Sequence, residues 1–206
     1  MVTFTILHQS YYVVGYDPVA LWVNGFTDVS QGAWYYDAVA YANYYALFNG
    51  DGKGNFQPEE TMSRAMFAAV IWNLEGKPTP NGTATFTDVL KGAWYYDAVS
   101  WAAENGIVSG IGNGKFAPEQ PITREEMAVM LYNYATATGM DIPENRTIPD
   151  FTDATQIDAW AETAAKALAE AGVMNGDEGG FCPTDNATRA EVAALFKNFL
   201  RFVMGK

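Results

Sequence analysis

One cysteine, Cys182, and one histidine, His8, are all that the 206 residues hold of the side chains most used for nucleophiles and metals. A lone cysteine excludes an intrachain disulfide and any cysteine-built zinc site, and a lone histidine outside the repeats leaves histidine catalysis almost no material. Neither count fixes the compartment, because surface proteins also avoid cysteine. No run of 18 apolar residues is present, so no membrane-inserted helix is expected. The start, Met1 to His8, lacks the charged and long apolar regions of a secretion signal. An extracellular location would make the sequence a mature form, a fragment or a C-terminal module of something longer. Basic residues are also scarce: 12 against 24 acidic ones give a net charge of −12. That field repels nucleic acid and anionic membranes, which removes both as expected partners. An anionic ligand would need a few local cations and backbone N–H groups working against it.

What the chain has is apolar and aromatic substance, 49% hydrophobic with 12 Tyr, 12 Phe and 6 Trp. This suffices for a sizeable core and leaves rings for surface contacts such as sugar stacking, although packing is the ordinary use of any single ring.

It also has an internal repeat. Residues 26–75 align without a gap on 86–135, and 22 of those 50 positions are identical, against roughly three expected from average residue frequencies. Phe26-Thr27-Asp28-Val29 recurs as Phe86-Thr87-Asp88-Val89, and Gly32 to Val39 recurs letter for letter from Gly92 to Val99. A diverged third copy opens at Phe151-Thr152-Asp153-Ala154 and places Trp160 one residue late. It regains register at Phe181, Pro183 and Arg189. The expected organisation is an N-terminal segment 1–24, then repeats 25–80, 81–145 and 146–206, with Pro- and Gly-bearing connections between them.

Within a copy, Trp34, Ala38, Tyr41, Ala42 and Tyr45 recur at helical spacing, as do Met66, Phe67, Val70, Ile71 and Leu74. In the third copy the second set is Val192, Leu195, Phe196 and Phe199. Each copy therefore reads as helix, Gly-rich loop, helix, with Phe116 of the middle loop inserted in the core, by way of a very short strand. One such pair cannot bury both apolar faces alone, so the copies pack on one another as a closed ring or an open solenoid. The expected fold is mainly all-α, closed as a pseudo-threefold bundle with short strand or loop elements. Outside the copies, Tyr11–Val14 and Val19–Val23 read as short strands around Asp17-Pro18.

The second helix of each copy opens on Ser63-Arg64, Thr123-Arg124 or Thr188-Arg189, and the last two continue to Glu126 and Glu191 as capping boxes. The first copy has Met66 where the glutamate would stand, which leaves half a box. Arginine in a first turn faces the positive end of the helix dipole and is disfavoured by roughly 0.3–1 kcal/mol. Three such arginines have two readings. They pair with an aspartate such as Asp28, Asp88 or Asp153 and stitch neighbouring copies, or they form forks beside free helix N–H groups for a carboxylate or phosphate.

The ordered set FTDV, GAWYYDAV, NGIVSGIGNGKFAPEQPITREE and NATRAEVAAL, over residues 25–203, resembles the S-layer homology domain family. The resemblance implies a compact helical module of three repeats, at the cell surface. Its inter-repeat grooves would bind a pyruvylated secondary cell wall polysaccharide and so anchor a cargo domain lying upstream. It implies Arg64, Arg124 and Arg189 as ligand-facing or groove-organising residues, with Ser63, Thr123 and Thr188 beside them and Trp34, Trp94 and Trp160 lining the grooves. Lys53 and Lys115 in the first two loops supplement the arginines, whereas the third loop has Asp177 and Glu178 and is expected to repel an anionic sugar.

Three other readings compete. Asn49 to Glu60 imitates an EF-hand loop, but lysine stands at the fifth position and Pro58 interrupts the exit, so no metal site is expected. A glycan hydrolase needs two singled-out carboxylates, and none stand out, so no catalytic residue or cofactor is assigned. A helical scaffold for protein–protein contact or self-assembly shares the fold evidence entirely and is the alternative to wall anchoring.

Overall fold

A computed structural model describes residues 22–82 and 86–205 of the chain. Those residues hold two α-helices per copy: α1 (Tyr36–Tyr44) and α2 (Arg64–Leu74), α3 (Tyr96–Glu104) and α4 (Arg124–Ala137), α5 (Glu162–Glu170) and α6 (Arg189–Phe202). The third copy inserts a 3-10 turn, Ala154–Gln156, ahead of α5, which accounts for its late tryptophan. The strands expected at Tyr11–Val14 and Val19–Leu21, with His8, lie outside the described residues. Trp22 and Val23 carry no strand, but Trp22 packs edge-on against Tyr36 and donates its indole N–H to Asn43 Oδ1 at 2.8 Å.

The second helices start where the sequence places them. Ser63, Thr123 and Thr188 take extended backbone conformations and accept the N–H of the third helical residue, and Glu126 and Glu191 complete their boxes. The first helices start later than the periodicity suggests. A turn closed by Ala33 N–H to Ser30 O and Tyr36 N–H to Ala33 O puts Trp34 ahead of α1 rather than on its apolar face. Trp34, Trp94 and Trp160 are consequently 67%, 61% and 55% exposed. α1 and α3 have no side-chain cap, and Asp37 and Asp97 in their first turns complement the dipole instead.

The loop between the helices is held by side chain and backbone, not by a strand. Only single bridges form within loops, Gly112 to Lys115 and Asp177 to Gly180. Asp88 accepts the N–H groups of Phe116 and Ala117, both at 2.8 Å. Asp28 does the same for Phe56 and Gln57, and Asp153 for Phe181 and Cys182. The second residue of each pair, Gln57, Ala117 or Cys182, sits in the left-handed region, so the aspartate fixes a conformation that L-residues disfavour. This grip seats Phe56, Phe116 and Phe181 fully in the core, as expected for the loop phenylalanine. Gly110 is required where it stands: a Cβ there would lie 2.6 Å from Lys115 O and 2.9 Å from the Phe86 ring.

The copies close into a ring. α3 packs on α2, α5 on α4, and α1 on α6, so the first helix of every copy covers the second helix of the copy before it. At the axis, Met62 N–H donates to Ala187 O, Ala187 N–H to Ile122 O, and Ile122 N–H to Met62 O, a cyclic set of three bonds at 2.8, 3.3 and 3.0 Å. Those residues are buried, as are Phe67 and Phe196, whose rings meet across the axis at 5.6 Å. Asn73, Asn133 and Asn198, at one register of the three second helices, tie each helix to its own loop through the carbonyls of Leu47, Ile107 and Val173.

Candidate functional site

Each first-turn arginine reaches out of its own copy into the loop of the next. Arg64 donates Nε to Phe116 O at 2.9 Å and Nη2 to Ser109 O at 3.0 Å. Arg124 does the same with Phe181 O and Asn175 O, both at 2.8 Å, and Arg189 closes the circle on Phe56 O and Asn49 O at 2.8 and 2.9 Å. All three guanidinium groups lie over a loop phenylalanine, 4.8 Å from the Phe116 centroid, 5.6 Å from Phe181 and 4.9 Å from Phe56. The stitch between copies that the sequence suggested is present, but the acceptors common to all three arginines are carbonyls rather than the aspartates. The aspartates are engaged with their own loops.

The helix N–H groups beside these arginines are not free. Arg64 and Ala65 N–H donate to Gln120 O and Pro118 O, Arg124 and Glu125 N–H to Asp185 O and Pro183 O, and Arg189 and Ala190 N–H to Glu60 O and Pro58 O. Ser63, Thr123 and Thr188 are occupied as caps. Backbone carbonyls therefore supply the negative partner that the dipole and the arginine both need, which answers the sequence-level objection to a cation there.

The three guanidinium groups differ in their remaining edge. Arg64, 3% exposed, gives Nη1 to Glu126 Oε1 at 2.7 Å. Burial lowers its pKa from the ordinary arginine value, and the Glu126 and Asp88 charges oppose that shift. Arg189, 9% exposed, is likewise lowered by burial against the opposing charges of Glu60 and Asp28. Both remain cationic, since arginine does not deprotonate in proteins. Arg124 is half-buried and makes no ion pair among the described residues.

Grooves lie over two of these junctions. One, of about 540 Å³, has Arg64 and Glu126 with Ser109, Ile111 and Met130, and Trp160 of the third copy on its wall. The other, of about 140 Å³, has Arg124, Asn175, Glu191 and Asn198 with Trp34 of the first copy. Each is composite: arginine from one copy, loop and second helix from the next, tryptophan from the third. Arg189 reaches the first loop in the same way, through Phe56 O and Asn49 O. Lys53 and Lys115 are exposed on their loops and line neither groove. Sharing across copies also rearranges the partners read from sequence, since Arg64 meets the loop of Lys115, Arg189 the loop of Lys53, and Arg124 the loop of Asp177 and Glu178. Sequence reading took Glu126 only as a helix cap, and did not single out Asn198 or the loop carbonyls. The asparagines had left a signal, the same residue at the same register in all three copies.

Fold and grooves define a cyclic three-repeat helical module with composite surface sites. The chain belongs to the S-layer homology domain family, whose sequence profile matches residues 25–68, 85–128 and 150–193. It is 32% identical over 164 residues, 76% of its length, to the surface-layer 125 kDa protein of Lysinibacillus sphaericus, and covers 13% of that protein. It is 32% identical over 202 residues, 97% of its length, to an amylopullulanase of Thermoanaerobacterium thermosulfurigenes, of which it covers 10%. To the S-layer protein EA1 of Bacillus anthracis it is 28% identical over 180 residues, 85% of the chain and 20% of that protein. The chain is thus a cell-surface module for anchoring at the cell wall, and it spans only a small part of the curated relatives it matches.

Proposed function

We propose that the chain anchors a larger surface protein non-covalently by binding an anionic, pyruvylated secondary cell wall polysaccharide in its inter-repeat grooves. The observation that carries this is the groove at Arg64, a cleft about 540 Å³ in volume that combines a guanidinium, a carboxylate, loop backbone and a 55%-exposed indole. Such a mixture suits a sugar: the ring face stacks on the indole while polar groups meet hydroxyl and acid substituents. Arg64, Arg124 and Arg189 organise the groove floors, Ser63, Thr123 and Thr188 hold those arginines at the helix starts, and Trp34, Trp94 and Trp160 form the walls. Lys53 and Lys115 add positive field from the loop surface. The linked cargo is a domain upstream of this chain. Catalysis belongs to other parts of the relatives that carry enzyme names, because the match to them is confined to about this module.

The deciding experiment is sedimentation of the purified chain with native walls and with walls stripped of secondary polymer by hydrofluoric acid. Binding to native walls alone is the expected result, and equal binding to both would reject the reading in favour of a protein-binding scaffold.

A further inference from the structure

The tryptophans ahead of the first helices are not held alike. Trp34 and Trp94 each meet the ring of the tyrosine that follows, edge-on, with centroids 5.4 and 5.2 Å apart. Their indole N–H groups have no acceptor among the described residues. Trp160 is followed by Ala161 and has no such ring; its indole N–H goes instead to Asp158 Oδ2 at 2.9 Å. Asp158 stands where the first two copies have Gly32 and Gly92, so this acceptor exists only in the third copy. Its carbonyl also accepts Ala161 N–H at 2.8 Å, closing the turn that carries the indole into α5.

Asp158 is exposed, and water competes for an exposed hydrogen bond, so alone it would hold the ring weakly. Its backbone is pinned from the second copy: Asp158 N–H donates to Glu125 Oε2 at 3.2 Å. Glu125, in the first turn of α4, is 6% exposed and makes no ion pair among the described residues. Ala65 and Ala190 fill its place in the other copies. A buried carboxylate without a cation costs free energy that alanine avoids. The one hydrogen bond this side chain makes among the described residues leads to the turn that carries Trp160.

We propose that Glu125 is a positioning residue for the groove at Arg64, fixing the Trp160 indole, through Asp158, as the wall on which a sugar ring stacks. The proposal rests on the anchoring reading above and deepens it. Two consecutive carboxylates of one helical turn then serve the same groove, Glu126 beside Arg64 and Glu125 behind the indole. A wall fixed before the ligand arrives lowers the ordering cost of binding. Because its N–H is taken by Asp158, Trp160 offers its ring face, whereas Trp34 in the Arg124 groove keeps an N–H for a ligand oxygen.

The test uses the full chain labelled with fluorotryptophan and followed by fluorine NMR, with Trp160→Phe identifying the signal, beside sedimentation with native and polymer-stripped walls. Glu125→Ala installs the residue of the other two copies, so its melting temperature should stay near that of the wild type. Its Trp160 resonance should shift, and its affinity for native walls should fall about threefold to tenfold. Glu125→Gln keeps an oxygen for Asp158 N–H and should restore both, and Asp158→Ala, which removes the indole acceptor, should reproduce both losses. A Trp160 resonance unmoved by Glu125→Ala would overturn the positioning. A shifted resonance with unchanged wall affinity, or a loss of affinity that glutamine does not restore, would overturn the role in recognition and leave wall anchoring standing. Equal binding of the wild type to native and stripped walls would reject the anchoring reading itself, and the role in recognition with it.

Discussion

Replacing Arg64 by methionine tests whether the first-turn arginines pin the ring or merely face a ligand. The variant leaves Glu126 without its 2.7 Å partner and removes the donors to Phe116 O and Ser109 O, in a junction where the arginine is 3% exposed. Breaking one side of a buried ion pair costs roughly 3–5 kcal/mol, because the remaining charge is stranded. Arg124→Met loses two carbonyl bonds from a half-buried side chain with no ion pair, a cost of about 1–2 kcal/mol. The first loss is a large share of the total stability of a domain, about 5–15 kcal/mol, and the second is not. Urea unfolding at neutral pH should therefore give a much lower midpoint for Arg64→Met than for Arg124→Met, with unchanged slope. In a double-mutant cycle, Glu126→Gln should recover roughly 1–3 kcal/mol of the Arg64→Met loss, since glutamine keeps the cap without the stranded charge. Equal losses for the two arginines, or no coupling between Arg64 and Glu126, would refute the argument.

Gly110→Ala should destabilise by about 1–3 kcal/mol in the same assay, because its Cβ would strike Lys115 O and the Phe86 ring, whereas Gly32→Ala, with open space around it, should change little. Glu125, 6% exposed, has its pKa raised first by burial, with the Asp158 and Glu126 charges adding to the shift and Asp158 N–H opposing it. The folded chain then binds more protons than the unfolded one between the ordinary value of 4.5 and the raised one, so the wild type loses stability relative to Glu125→Gln as pH climbs through that window. Thermal melts from pH 4 to 7 should show that gap opening upward, and a gap independent of pH would contradict the burial argument. Deleting residues 139–206 removes the partners of α1 and α4 together and the acceptors of Arg124, so circular dichroism should show no cooperative melt, where an open solenoid would keep one.

Much of the fold was legible because it repeats locally. Ser63, Thr123 and Thr188 mark helix starts by residue type alone, and the loop phenylalanines announce themselves by recurring ahead of a proline. The first helices were harder. Tryptophan at helical spacing from Ala38 and Tyr41 mimics an apolar face, and only the turn at Ser30–Tyr36 reveals that it stands outside the helix. Ala46, left-handed where Gly106 and Gly172 stand in the other copies, shows the same override of local preference by tertiary packing.

The site was legible in its residues and illegible in its pairings, and the reason is topological. An alignment of copies puts Arg64 beside Lys53 and Arg124 beside Lys115, because sequence places a helix next to its own loop. Ring closure shifts every arginine one copy forward and, in the two grooves, brings the tryptophan from the copy beyond, so neither groove exists within a single repeat. This shift turns small differences between copies into differences between junctions: the acidic loop of the third copy meets an arginine of the second, and a glutamate of the second copy pairs with an arginine of the first. It also ties recognition to assembly. A ligand spanning an arginine, the next loop and the opposite indole touches three copies at once, so it binds the closed ring and not the open chain, and should stabilise the fold by RT ln(1 + [L]/Kd).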